Sequence, residues 1–230
     1  MKPINQVVIL AGGKGTRMRE MTSDLPKPMV KVGEMPVLEH LINIFKKYRE
    51  FEFLICAGYL GEIIFEYFSE FENVKVLETG QDTNTGGRIV NIKEFLDESF
   101  IVTYGDGLAD VNILNLIKFH QNHGKKATIT VTNPTSRFGL VEFDKNNLVE
   151  KFVEKPKLTG YVNIGFMVFQ KEALKYFEEN SVLELDPLKK LVKKNELKAF
   201  VHEGYFEPMD TYREFLQMNK LWNTGSAPWI

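Results

Sequence analysis

Three glycines, two lysines, an arginine and two aspartates supply the chemistry on which this sequence turns. In VVILAGGKGTRMREMTSDLPKPM, residues 7–29, the apolar run Val7–Leu10 leads straight into Gly12, Gly13 and Gly15, with Lys14, Arg17 and Lys27 close behind. Glycine lacks a Cβ, so its backbone N–H can approach an anion closely, and cations around such a turn suit a polyphosphate. The first 31 residues hold six basic side chains and two acidic ones, in a chain whose formal net charge is −2. A glycine-rich turn also serves simply to join strand to helix, and the glycines by themselves do not choose. Farther on, the apolar stretch Phe100–Tyr104 ends in Gly105-Asp106-Gly107, a carboxylate with small neighbours that leave room for a hydrated cation. Mg²⁺ keeps several waters and is commonly held by one or two carboxylates plus phosphate oxygens. An Asp-Gly turn is the plainer alternative. Near the end, Asp210 in EPMDTYREFL precedes a helical pattern, and by its residue type it reads as an N-cap.

Other phosphate motifs fail on their spacing. Gly15 is followed by Thr16 and Arg17 where a Walker loop needs Lys and Ser or Thr. For a dinucleotide fingerprint, Gly13 and Gly15 supply two glycines, but Met18 stands at the third, and Glu34 lies in a loop-like VGEMP. An NAD-binding module is therefore disfavoured. There is no GxSxG elbow, and the four histidines are scattered, so a serine or cysteine hydrolase has no support. His120 and His123 stand at a helix end before Gly124, where they read as polar terminal groups rather than a metal pair, and His40 and His202 read as packing or surface residues.

The elements that must position these groups alternate. Val37–Tyr48 has apolar residues at helical spacing, Phe53–Ala57 reads as a strand, Glu62–Phe71 as a helix and Val74–Leu77 as a strand. The polar loop ETGQDTNTGGR follows, then a helix from Arg88 to Leu96, the strand Phe100–Tyr104, and a helix Asn112–His123 with Asp110 as its cap. Such alternation predicts a parallel sheet layered between helices, with ligand-binding loops at the strands' carboxyl ends. Ala127–Thr132 is a further strand. TSRFGLVEFD and LVEKFVEKP form a hairpin through Lys145-Asn146-Asn147 that delivers Glu154 and Lys155 just before Pro156. YVNIGFMVFQ reads as one strand, and Lys171–Glu179 and Pro187–Lys194 as helices.

With 230 residues, 43% of them hydrophobic, a single domain with a sizeable core is expected, its nucleotide-binding part about 1–125 and its acceptor-binding part about 126–230. The single cysteine, Cys56, excludes an intrachain disulfide and suits a reducing cytoplasm. No stretch approaches the roughly 18 apolar residues of a membrane span, and residues 1–6 lack a secretory pattern. The balanced charge gives no nucleic-acid surface. The expectation is a soluble cytoplasmic protein acting on small molecules, with no membrane or nucleic-acid partner; a homo-oligomer is compatible with all of this.

Across nearly the whole chain, VVILAGGKGTRM, LPKPMV, ETGQDTNTGGR, TYGDGLADVNI, FHQNHGKKATIT, RFGLVEF, FVEKP, VNIGF, PLKKL, EPMDT and LWNTGSAPW resemble the sugar-1-phosphate nucleotidylyltransferases, most closely the glucose-1-phosphate cytidylyltransferases that make CDP-glucose. The resemblance implies a Rossmann-like, three-layer α/β fold with a mostly parallel, mixed central sheet. It implies CTP phosphates over Leu10, Ala11, Gly12, Gly13, Gly15 and Thr16 with Arg17, and Lys27 near the reacting phosphate. Base and ribose would lie around Thr79, Gly80, Asp82 and Gly87, with Tyr104 and Gly105 also lining the nucleotide site. The acceptor would meet Arg137, Gly139, Glu154, Asn163 and Gly165, with its phosphate on Lys155, and Mg²⁺ would sit between Asp106 and Asp210. Asp210 thereby rises from helix cap to metal ligand.

Two features depart from the family pattern. Only SEFEN separates Phe68 from Val74, where relatives carry a long insertion, and Ile164 replaces the first glycine of an NGGF motif. The added bulk keeps a smaller acceptor, such as glycerol phosphate or another polyol phosphate, as the alternative. A non-catalytic nucleotide-binding regulatory domain is the alternative of another class; the joint presence of Arg17, Lys27, Asp106, Lys155 and Asp210 argues against it.

Overall fold

The structure, a computed structural model, describes residues 3–230. Its strands are β1 (Gln6–Leu10), β2 (Lys31–Val32), β3 (Met35–Pro36), β4 (Glu52–Ala57), β5 (Val74–Glu78), β6 (Ser99–Tyr104), β7 (Gly107–Ala109), β8 (Ala127–Thr132), β9 (Leu140–Phe143), β10 (Val149–Val153), β11 (Val162–Asn163), β12 (Met167–Gln170), β13 (Leu197–Val201) and β14 (Phe206–Pro208). Its α-helices are α1 (Arg19–Thr22), α2 (Val37–Lys46), α3 (Gly61–Phe68), α4 (Thr85–Asn91), α5 (Ile113–His123), α6 (Pro187–Lys193) and α7 (Tyr212–Asn223).

The central sheet runs β11-β8-β12-β6-β1-β4-β5, with β13 also paired to β8. β1 pairs in parallel with both β4 and β6, and β4 with β5. β12 enters antiparallel between β6 and β8, so the sheet is mixed but mostly parallel, as expected. Because successive side chains of a strand face opposite ways, the apolar run of β1 feeds two cores at once. Val7 and Ile9 join Phe53, Ile55 and helix α2 on one face. Val8 and Leu10 join Leu54, Cys56, Phe100 and Ile89 of α4 on the other. This explains why β1 is apolar at consecutive positions rather than at alternate ones. Cys56 lies wholly within that second core, where burial pushes its thiol up to about 12, so it serves as inert packing.

Several local expectations need correction. Asn112, not Asp110, caps α5, its side-chain oxygen accepting from Asn115 N at 2.9 Å. Asp110 instead accepts from Tyr205 N and approaches His202 at 3.0 Å, fastening β7 to the turn before β14. Residues 161–170 do not form one strand: Gly165 and Phe166 take φ values of +80° and +49°, breaking it into β11 and β12. α4 begins at Thr85 and is followed by a 3₁₀ turn, Lys93–Phe95, in place of one helix from Arg88 to Leu96. The segment expected as the helix Lys171–Glu179 is a 3₁₀ helix, Lys171–Tyr176. His120 and His123 both contact Thr128 Oγ1 at 2.8 Å, and burial takes His120 down to about 4, so it packs as a neutral ring. His40 is buried against Val32 O and Trp229 Nε1.

Candidate active site

The registers of β1, β4, β5 and β6 bring their carboxyl ends to one edge, Leu10 lying beside both Cys56 and Tyr104. A cavity of about 450 Å³ opens there. Leu10, Ala11, Gly12, Gly13, Gly15 and Thr16 line it, so the first loop forms one wall as the sequence indicated. Arg17 and Lys27 project from the same loop region. Tyr104, Gly105, Asp106 and Asp210 form the facing wall.

Lys27 stands at the centre. Flanked by Pro26 and Pro28, it begins a short 3₁₀ turn, Lys27–Met29, whose backbone the prolines stiffen. Its Nζ donates to Asp106 Oδ2 at 2.5 Å and to Asp210 Oδ1 at 2.7 Å. Arg17 Nη1 donates to Asp210 Oδ2 at 2.8 Å. With 12% of its side chain exposed, Lys27 would lose charge to desolvation, but the two carboxylates outweigh burial and hold its ammonium above the ordinary value. Burial likewise opposes ionisation of Asp210, and Lys27 and Arg17 overcome it, holding that carboxyl below the usual range. At neutral pH Lys27 and Asp210 are therefore both charged.

Asp210 reaches this point by strand pairing across a long sequence gap. β14 pairs antiparallel with β7, Pro208 opposite Gly107, and Met209 N donates to Asp106 O at 2.8 Å. The cap of α7 is Thr211 in a capping box with Glu214, whose carboxylate accepts from Thr211 N at 2.6 Å. The plain reading of Asp210 as N-cap is thus overturned, since the next residue does that work and leaves the Asp210 carboxylate facing Lys27. Two hard oxygen donors converging on one cation fit a divalent metal that takes its remaining ligands from water and phosphate. Among the described residues no group of three or more His, Cys, Asp or Glu side chains forms a closed metal cage.

The second loop is held largely by contacts of its own. Thr79 is buried, donating to Ala57 O at 2.6 Å, and Gly80, at φ +93°, turns its carbonyl to Arg88. Asp82 is 87% exposed and pairs with Lys14 at 2.8 Å, away from the cavity wall. Thr83, Asn84 and Thr85 line the cavity in its place. Gly86 and Gly87 spend their N–H groups on Ser181 O at 2.9 and 3.1 Å, leaving none for a phosphate. A Cβ on Gly87 would stand 2.4 Å from Glu179 O, so the glycine pair lets the segment 179–184 lie against α4. Gly87→Ala is expected to cost about 2 kcal/mol by overpacking against backbone and to raise the KM for nucleotide. An unchanged melting temperature and KM would refute this account of the loop.

Arg88 is the residue that the sequence reading missed. Buried beneath the first loop, its guanidinium donates to Ala57 O, Thr79 Oγ1, Gly80 O and Gly12 O, at 2.7–3.0 Å. One side chain thus ties together three strand-end loops, and a Cβ at Gly12 would fall 2.1 Å from it. Burial lowers its pKa, yet an arginine stays charged, so it adds a fixed positive charge under the glycine loop. The available signal was a lone arginine in RIVNI, a stretch whose apolar spacing turns it toward the sheet.

A second cavity, of about 660 Å³, meets the first, and Arg17, Tyr104, Asp106 and Asp210 line both. Its own lining includes Asn163, Ile164, Phe206 and Glu184. Gly165 packs behind it, where a Cβ would come 3.0 Å from the Tyr104 ring. The other acceptor-side residues flank the β9–β10 ribbon at its base, outside both cavities. Arg137 pairs with Glu214 at 3.1 Å, and Gly139 packs under Phe152 and Glu154. Lys155, at φ +48°, is 61% exposed, with Glu154 3.8 Å away. The ribbon pairs only with itself, so nothing in its hydrogen bonding turns Glu154 or Lys155 toward Asp106.

Comparison with known proteins agrees with this geometry. The family model described as nucleotidyl transferase matches residues 6–222. A probable glucose-1-phosphate cytidylyltransferase of Bacillus subtilis is 38% identical, covering 97% of this chain and 98% of its own. The glucose-1-phosphate cytidylyltransferase of Salmonella typhi is also 38% identical with the same coverage. The Bacillus subtilis alignment runs over 251 positions, more than the 230 residues of this chain, so that relative carries inserted residues. Among solved structures, HddC from Yersinia pseudotuberculosis superposes with a TM-score of 0.75 at 24% identity, over 95% of this chain and all of that one. A UDP-glucose pyrophosphorylase complexed with UDP-glucose superposes with a TM-score of 0.74 at 15% identity, over 97% of this chain and all of that one. These likenesses bear out the Rossmann-like nucleotidyltransferase fold.

Proposed function

The chain belongs to the nucleotidyl transferase family, and from that premise we propose that it transfers CMP from CTP to the phosphate of a sugar 1-phosphate, glucose 1-phosphate first, releasing pyrophosphate. The observation that carries the reading is the meeting of two cavities at the Asp106–Lys27–Asp210 cluster, beside a glycine loop suited to polyphosphate. The names of the near-full-length relatives point to cytosine and glucose.

The mechanism follows from charge. The acceptor is a phosphate monoester, whose second pKa is about 6, so its attacking oxygen is already ionised and no side-chain base is needed. The difficulty is bringing two anions together. The amides of the first loop, with Arg17 and the buried charge of Arg88, hold the triphosphate and stabilise the departing pyrophosphate. Lys27 moves from the two carboxylates to the α-phosphate oxygens, where negative charge grows. Arg17, which lines both cavities, aligns the acceptor oxygen with the α-phosphorus for in-line displacement. Asp106 and Asp210 would hold Mg²⁺, which supplies charge neutralisation at the α-phosphate when bound. Lys155 enters this account as a reserve cation on the ribbon rather than as a cavity wall.

The experiment is pyrophosphate release over a grid of nucleoside triphosphates and phosphate monoesters. CTP with glucose 1-phosphate is expected to give the highest kcat/KM. Release with no combination overturns the enzymatic reading, and preference for UTP or dTTP overturns the cytidylyl reading. A smaller acceptor is the second reading: Ile164 is among the residues lining the second cavity, although its side chain packs into the core. Higher kcat/KM with glycerol phosphate than with glucose 1-phosphate would select that reading.

A further inference from the structure

Glu184 is an acidic residue in the wall of the second cavity. Its carboxylate accepts from the Tyr104 hydroxyl and, at 3.2 Å, from Thr85 Oγ1. No lysine, arginine or histidine pairs with it among the described residues. The segment that carries it is fixed by hydrogen bonds to α4. Gly86 N and Gly87 N donate to Ser181 O, and Leu183 N donates to Thr85 Oγ1 at 2.9 Å. Tyr104, half-buried and with its phenol pKa raised by desolvation and by Glu184, is part of the wall shared by the two cavities. The carboxylate is therefore held by two hydrogen bonds, with no cation paired to it among the described residues.

A carboxylate has about four acceptor positions, and the two bonds it makes leave others free toward the cavity. The same cavity is lined by Arg17 and by the two aspartates that bracket Lys27. Arg17 attracts the phosphate of a monoester entering it, and hydroxyl groups on the rest of that molecule can donate to Glu184. Resting on the functional reading above, we propose that Glu184 is the specificity-determining residue for the acceptor. It accepts hydrogen bonds from the acceptor's hydroxyl donors and rejects acceptors that carry a second negative charge beside it.

The test compares wild type with Glu184→Gln, which keeps shape and one acceptor oxygen, using glucose 1-phosphate and the acid analogue glucuronic acid 1-phosphate with CTP. Wild type is expected to favour glucose 1-phosphate by kcat/KM. In Glu184→Gln that preference is expected to fall by about tenfold, the size of one charged hydrogen bond, mainly through acceptor KM and with CTP KM nearly unchanged. A purely structural role, tying Tyr104 to Thr85, would instead raise CTP KM, lower the melting temperature and slow both acceptors equally. That pattern, or an unaltered preference, overturns the proposal while leaving the cytidylyltransferase reading intact. Absence of turnover by wild type with either acceptor overturns glucose 1-phosphate as the acceptor and the proposal with it.

Discussion

Asp106→Ala is expected to lose roughly a thousandfold in kcat, about 4 kcal/mol of transition-state stabilisation at the α-phosphate, while folding nearly as wild type. The reasoning separates the two effects by the partners left behind. The Asp106 carboxylate is partly exposed and makes its ion pair with Lys27 alone, whereas Lys27 retains Asp210 at 2.7 Å after the change. No buried cation is left without a partner, so the large penalty for breaking a buried pair does not apply. Turnover has no such substitute, because Asp210 alone offers one carboxylate where the proposed metal site has two. The measurement is steady-state kinetics with an Mg²⁺ titration, alongside a thermal melt. Near-wild-type kcat with an unchanged Mg²⁺ requirement would sink the metal assignment, and a melting temperature lowered by more than about 5 °C would show that Asp106 is structural instead.

How far this site could be read in advance depends on how locally each part is specified. The first loop was legible because a buried strand and its glycines sit within a dozen residues, and Lys27 and Asp106 follow from the same local logic. Asp210 was ambiguous because three neighbouring residue types suit a helix start; only the β7–β14 pairing, joining segments a hundred residues apart, sends Asp210 to Lys27 and leaves the cap to Thr211. Arg88 and Glu184 were illegible for a related reason. Each acts through hydrogen bonds to residues distant in sequence, and a charged side chain gives no sign of whether it meets solvent or a ring of carbonyls. The broken strand at Gly165 shows the limit of periodicity: VNIGFMVF alternates well enough for one strand, but two successive positive φ values interrupt it.

Lys27→Met is expected to make the protein's stability depend on Mg²⁺. The Lys27 ammonium sits between Asp106 and Asp210, 2.5 and 2.7 Å from them, and so occupies the position that offsets their mutual repulsion. Methionine fills similar volume without charge, leaving two half-buried carboxylates facing each other with only Arg17 nearby. The expected cost is about 2 kcal/mol without metal, less than for a fully buried pair because both aspartates remain partly solvated. A divalent ion that binds the folded state alone stabilises it by about 2.7 kcal/mol at a hundred times its Kd. Millimolar Mg²⁺ should therefore restore much of the loss in Lys27→Met and raise the wild-type melting temperature less, because in wild type the metal must compete with the ammonium. Turnover should fall by at least a hundredfold even with Mg²⁺ saturating, since the cation that follows the developing charge on the α-phosphate is gone. Thermal melts of both proteins across an Mg²⁺ series read the first effect independently of activity. Equal stabilisation of the two would mean that lysine and metal do not share the carboxylates, and the arrangement of the whole site would have to be redrawn around a different cation position.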